Sequence, residues 1–138
     1  MVGPTASGPA ISSRTTLAAV PPRLRTADPE VVAAALARRA ADASEAEDER
    51  LLVKHFLAAL AERAPGRSVE VRLPPYAAAQ VVEGVRHTRG TPPAVVETDA
   101  GTWIALAAGD LTWAEAERRG LLRASGERAD LAPYLPLT

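Results

Sequence analysis

The sequence predicts an α+β domain, a single sheet with helices packed mainly on one of its faces, and three observations carry that prediction. From Ser68 to Leu73 apolar residues alternate with polar ones at the period of two that belongs to strands, and two further short apolar runs follow before Asp99. Before and after this stretch they recur at helical spacing, and these runs are bracketed by capping residues, Gly and Pro. Strands then gather in one part of the chain instead of alternating with helices along its whole length, the order expected of a segregated α+β domain.

Residues 1–27, MVGPTASGPAISSRTTLAAVPPRLRTA, mix Gly, Pro, Ser and Thr with unpatterned apolars and read as a flexible N-terminal arm outside the fold. The domain is read as residues 28–138, with its core in 45–137. Asp28-Pro29-Glu30 supplies an N-cap, a proline at the first helical position and an acidic first turn. The following VVAAALARRAADA has high helix propensity and an apolar face made mostly of Ala. A second helix is expected from Ser44, where Ser44 and Glu47 have capping-box spacing. Its apolar stripe is Leu52, Phe56 and Leu60, with Val53 and Leu57 beside it, and Pro65-Gly66 ends it.

Val69, Val71 and Leu73 alternate with Ser68, Glu70 and Arg72 as a half-buried strand stopped by Pro74-Pro75. AAAQVVEG, Ala77 to Gly84, reads as a second strand, more apolar and therefore more central, and Ala94 to Thr98 as a third. Their short connections predict antiparallel neighbours. HTRGTPP, His87 to Pro93, is the link between the second and third strands, with Gly90 free to adopt positive φ and the prolines holding the chain extended.

Asp99 can cap a short helix that carries Trp103, Leu106 and Ala107 on one face and ends at Gly109. Thr112 and Glu115 open another of about two turns, closed by Gly120. LLRAS, Leu121 to Ser125, alternates as a last strand, and Asp130 can cap a terminal turn with Leu131, Tyr134 and Leu135.

Composition narrows the function classes. The 138 residues suit one domain, and 16 basic against 17 acidic side chains leave a formal charge of −1, without a global field to attract nucleic acid or an anionic membrane. Cysteine is absent, which excludes disulfides, thiolate catalysis and thiolate zinc sites. No run of 18 apolar residues is present, and prolines and Arg14 break the first thirty, so a soluble cytoplasmic protein without stable membrane insertion is expected. A Ser-His-Asp arrangement would need His55 or His87 beside a strained Ser elbow, and no G-x-S-x-G occurs. His55, next to Lys54 on the second helix, reads as a boundary or surface residue. The two His with Glu83 and Asp99 could be assembled into a metal site only without any fixed ligand spacing, so no metal, cofactor or catalytic residue is assigned.

Two basic clusters are candidates for holding an anion: Arg86, His87 and Arg89 around Gly90, and Arg118, Arg119, Arg123 and Arg128 further on. Arg is this chain's usual cation, so a solvated surface is the simpler account of both. No aromatic residues interleave with them as nucleic-acid binding would require.

The run TWIALAAGDLTWAEAERRGLLRASGERADLAPYLPL, Thr102 to Leu137, resembles the C-terminal half of sterol carrier protein 2-like domains, with an aromatic helix ending at Gly109, a short helix ending at Gly120, and a strand leading to Gly126. Upstream, APGRSVEVRLPPYAAAQVVEGVRHTRGTPPAVVETD, Ala64 to Asp99, is similar to the small actinobacterial branch of bacterial sterol carrier orthologues. Val85 and Ala94 depart from that branch, which would have Pro and Asn there, and the arm and first helix have no counterpart in it. The resemblance implies a mixed, mostly antiparallel sheet of five strands whose helices enclose an apolar tunnel for a fatty acyl chain, a sterol or a similar molecule.

Such a pocket would be lined by Phe56, Leu60, Val81, Trp103, Leu106, Trp113, Leu121, Tyr134 and Leu135, with Arg86, His87 and Arg89 at its rim. Every one of the apolar nine is also what a packed core needs. Two functions follow. The first is a non-enzymatic carrier of a lipid-like or other apolar small molecule. The second is a protein-interaction module or subunit, binding a protein partner or forming a homodimer, in which the fold is kept and the pocket is closed.

Overall fold

The computed structural model describes residues 24–84, 94–126 and 129–138. Four helices and four strands follow in order: α1 (Pro29–Ala40), α2 (Ala46–Arg63), β1 (Val69–Leu73), β2 (Ala77–Val81), β3 (Ala94–Thr98), α3 (Ala100–Ala108), α4 (Trp113–Arg118) and β4 (Leu122–Ser125), with a single 3-10 turn at Ala132–Tyr134. The strands form one mixed sheet in the order β2-β1-β3-β4.

Local chemistry sets the helix ends. The Asp28 carboxylate accepts from the Glu30 amide at 2.8 Å with Pro29 behind it, Asp99 accepts from Thr102, and the Thr112 hydroxyl accepts from Glu115. Gly109 closes α3 in the left-handed conformation, with φ of 90°. The second helix starts one residue later than Ser44 suggests. Glu45 is its N-cap, and the Glu45 amide donates to Asp48 Oδ2 at 3.1 Å. The same carboxylate takes both arms of Arg38 from α1, at 2.9 and 2.8 Å, so a bond between helices selects the frame of the cap. This pair holds α1 onto α2 where apolar contact is limited to Val32, Ala35 and Leu36.

The sheet corrects four expectations. Four strands, not five, are present among the described residues, while the C-terminal run makes the turn expected of it, with the Ala132 amide donating to Asp130. β2 pairs antiparallel with β1 but lies at the edge, and β1 pairs with β3 in parallel, Val71 opposite Val96. Residues 82–93, about a dozen, are long enough to carry the chain past β1 to its far side. β2 looked central because of its Ala, yet Ala is small enough to stay half exposed at an edge, and only Val81 of that strand is fully buried. The strand also ends at Val81: Val82 has φ of 66°, donates its amide to the Ala64 carbonyl at 2.6 Å, and accepts at its own carbonyl from both the amide and the hydroxyl of Ser68.

One face of the sheet, with Val69, Val71, Leu73, Val81 and Val96, is buried in a single core with α2 and α3. The other carries Arg72, Gln80 and Arg123, all exposed, and Glu97 sits opposite both Arg72 and Arg123 in the register. That alternation of charge across neighbouring strands suits a face left to water. At the start of the described residues, Leu24 and Ala27 pack against the core, and the Ala27 amide donates to His55 Nδ1 at 2.9 Å.

Candidate functional site

Seven of the nine apolar candidates fall into two groups. Phe56, Leu60, Val81 and Trp103 are buried to within 1% and belong to the close-packed centre between α2, α3 and the sheet. Trp103 also has its polar atom satisfied there, donating Nε1 to the Val53 carbonyl at 3.3 Å. Side chains so placed hold helix and sheet together and present little surface to a ligand.

Leu106 and Trp113, at 1% and 5% exposure, belong to the same core, but together with the half-buried Leu135 they also wall a cleft of about 310 Å³ between the end of α3, the start of α4 and the C-terminal segment. Its remaining walls include Leu111, Ala132 and Pro136, and its lining is mostly apolar. The elements that build it are the ones whose ends were legible. Gly109 turns the chain after α3, Leu111 folds back with its amide on the Ala105 carbonyl, and the Thr112 cap starts α4 so that Trp113 enters at the first turn. The opposite wall is tied down from two sides. Arg63, at the end of α2, donates to the carbonyls of Tyr134 at 3.0 Å and Pro136 at 2.7 Å, and the Leu137 amide donates to the Ala107 carbonyl at 2.8 Å.

Of the other candidates, Tyr134 is half-buried next to this wall, whereas Leu121 borders a separate, more polar groove with Glu97, Asp99 and Arg123. Leu111, Pro136 and Arg63 were not anticipated. Leu111 had a signal, an isolated apolar residue between a helix-ending Gly and a capping Thr. Arg63 had none, since its partners are backbone carbonyls more than seventy positions away. The rim candidates Arg86, His87 and Arg89, and Arg128 of the second basic cluster, lie outside the described residues. Arg118, Arg119 and Arg123 are exposed, and Arg118 pairs with Glu115.

A larger depression, about 580 Å³, runs along Leu36, Arg39, Asp42, Ser44 and Asp110, but its charged walls do not suit an apolar molecule. His55 lies at the boundary of the core, half-buried. Burial pushes its imidazole below the ordinary histidine range, against an opposing pull from Glu62, and the Ala27 amide at Nδ1 requires the neutral ring. Asp99 is held below the usual carboxylate range: burial works against its charge, but the hydroxyl and amide of Thr102 outweigh it. Both groups serve structure in this arrangement. Among the described residues no set of three His, Asp or Glu gathers at metal-binding distance, and no helix is long and apolar enough to cross a membrane.

Comparison with known proteins agrees with this geometry at the level of family. No curated protein matches the chain. The family described as bacterial SCP ortholog matches residues 45–137, which take in α2, all four strands, α3, α4 and both walls of the cleft while leaving out α1. With more than half of its length matched, the chain belongs to the bacterial sterol carrier protein ortholog family.

Proposed function

We propose that this protein is a cytoplasmic, non-enzymatic carrier or binding module for a lipid-like or other apolar small molecule, and that the molecule is seated in the cleft between α3, α4 and the C-terminal segment. The observation that carries the reading is the cleft itself. At about 310 Å³ and walled by Leu106, Leu111, Trp113, Leu135 and Pro136, it lies within the range of about 300–1,000 Å³ usual for small-ligand sites. Membership of the sterol carrier family supports an apolar ligand over a polar one.

Native mass spectrometry of untagged protein purified from cells is the direct test. A stoichiometric apolar adduct, released on denaturing extraction, is expected. Saturable uptake of a fluorescent fatty acid by stripped protein, lost in Leu106→Trp, which fills the cleft, is expected as well. Absence of both would refute the carrier reading.

A second reading is favoured by the packing of Phe56, Leu60, Val81 and Trp103, which fill the space where a tunnel between helix and sheet would run. In that reading the domain is a protein-interaction module or subunit, with a protein partner or a second copy of itself. It predicts a stable complex, sensitive to neutralising Arg86, His87 and Arg89, and no uptake of lipid in any form.

A further inference from the structure

We propose that the ligand of the cleft is a neutral carbonyl compound on an apolar body, such as a long-chain or arylalkyl ester, whose oxygen accepts a hydrogen bond from Trp113 Nε1. The proposal rests on the carrier reading above and specifies its ligand. Among the described residues, Trp113 Nε1 is the buried side-chain nitrogen or oxygen left without a hydrogen-bond partner. Trp113 is 5% exposed, so bulk solvent has little access to its indole. The contrast with the chain's other tryptophan is direct, because Trp103 Nε1 is bonded to the Val53 carbonyl. An orphaned indole N–H lowers the stability of the fold, and at the wall of an apolar cleft it is explained by an acceptor that arrives with the ligand.

The rest of the lining decides what kind of acceptor this is. The backbone amides of Gly109 and Leu111 are bonded to the Ala105 carbonyl, Leu135 to Ala132, and Ala132 to the Asp130 carboxylate. Thr112 also lines the cleft and its hydroxyl accepts from the Glu115 amide, so its O–H is a second, exposed donor and Trp113 is the buried one. Among the described residues no charged side chain lines the cleft. A carboxylate or phosphate seated there would lose its hydration with no cation to replace it, whereas an ester or ketone oxygen needs only one donor. The indole nitrogen is covered, so the ligand oxygen takes the place of a covering group. Arg63 and the Leu137 amide hold the backbone of the Leu135-Pro136 wall, so the covering group that moves aside is a side chain.

Three probes of one skeleton test this on the full chain stripped of bound lipid: methyl 4-phenylbutanoate, 4-phenylbutanoate and pentylbenzene. Binding is followed by nitrogen-edited NMR of the two indole N–H groups, with Trp103 as internal reference. The ester is expected to bind about tenfold more tightly than pentylbenzene and to shift the Trp113 resonance downfield while Trp103 stays in place, the tenfold gain being what one neutral hydrogen bond supplies. Trp113→Phe is expected to abolish that advantage and leave pentylbenzene affinity unchanged; if the variant does not fold, the resonance shift in the unaltered protein still decides. Equal binding of ester and hydrocarbon with an unmoved Trp113 resonance overturns the proposal but leaves the carrier reading standing. Preference for the carboxylate overturns the neutrality of the ligand, and binding of none of the three overturns both.

Discussion

Among the described glycines Gly66 comes closest to another stretch of backbone, and replacing it with Ala tests how the end of β2 is held. A Cβ built there would lie 2.2 Å from both the carbonyl carbon and the carbonyl oxygen of Val82 and 2.4 Å from the Glu83 nitrogen. Ordinary contact begins at 3.4 Å, so the two segments must separate by about 1.2 Å. Backbone cannot yield as a flexible side chain does. Val82 is also the hub of three hydrogen bonds, to the Ala64 carbonyl at 2.6 Å and from the Ser68 amide and hydroxyl at 3.0 and 2.7 Å. A shift of that size breaks or badly lengthens them, at about 1 kcal/mol each, or about 3 kcal/mol together. Holding Ala at the Gly66 φ of 151° adds about 1–3 kcal/mol of conformational strain.

Gly66→Ala is therefore expected to destabilise the protein by at least about 3 kcal/mol in urea unfolding, with an unchanged dependence on denaturant. Gly120→Ala is the control. Gly120 also has positive φ, 69°, but a Cβ there meets nothing within 4 Å, so only the left-handed strain of about 1–2 kcal/mol is expected. Equal losses in the two variants would refute the reasoning, because the close approach to Val82 would then contribute nothing beyond φ.

Four further outcomes are expected. Phe56→Ala should cost about 3–5 kcal/mol as a core truncation, whereas Leu135→Ala, at a half-buried wall, should cost less and change ligand uptake; calorimetry with a binding titration separates them. Arg63→Ala should weaken the C-terminal wall by about 1 kcal/mol and speed hydrogen exchange at the Leu137 amide, leaving the Val96 amide protected. His55 has a folded-state pKa below its ordinary value, so its contribution is complete above the ordinary histidine range near 6.5 and is lost as pH falls through the lowered value. Thermal melts between pH 7.5 and pH 5 should show that loss, reduced in His55→Ala. Asp48 is lowered to about 2, chiefly by its bond to Arg38, so its contribution is present above the usual carboxylate value of 3.8 and vanishes as pH falls through about 2; Asp48→Asn should remove that part of the acid-unfolding curve.

The parts of this fold that were legible are those whose chemistry lies within a few residues. Asp28, Asp99 and Thr112 cap as their sequence contexts indicate, because the amide each one accepts from is two or three positions away. Ser44 misled by one residue, since Asp48 is claimed by Arg38 and brings the cap to Glu45. The order of the strands was not legible. Short connections favour antiparallel neighbours, but nothing local in Ala77–Val81 distinguishes an edge from a centre, and the parallel pairing of β1 with β3 depends on a crossover outside either strand. The site divided in the same way. All nine apolar candidates have the residue types a pocket needs, and only their placement assigned Leu106, Trp113 and Leu135 to the cleft and Phe56, Leu60, Val81 and Trp103 to the core.

By itself the sequence determined the α+β class, the helix ends and the resemblance to bacterial sterol carrier orthologues, because periodicity, capping and glycine spacing act over short range and survive in the linear order of residues. Only the tertiary structure decided that β2 is an edge, that Val82 leaves the strand to bond Ala64 and Ser68, that Arg63 fastens the C-terminal wall, and that one indole nitrogen is satisfied while the other is not. Those outcomes depend on which distant groups meet, and chain closure, packing and desolvation set them jointly across the whole domain.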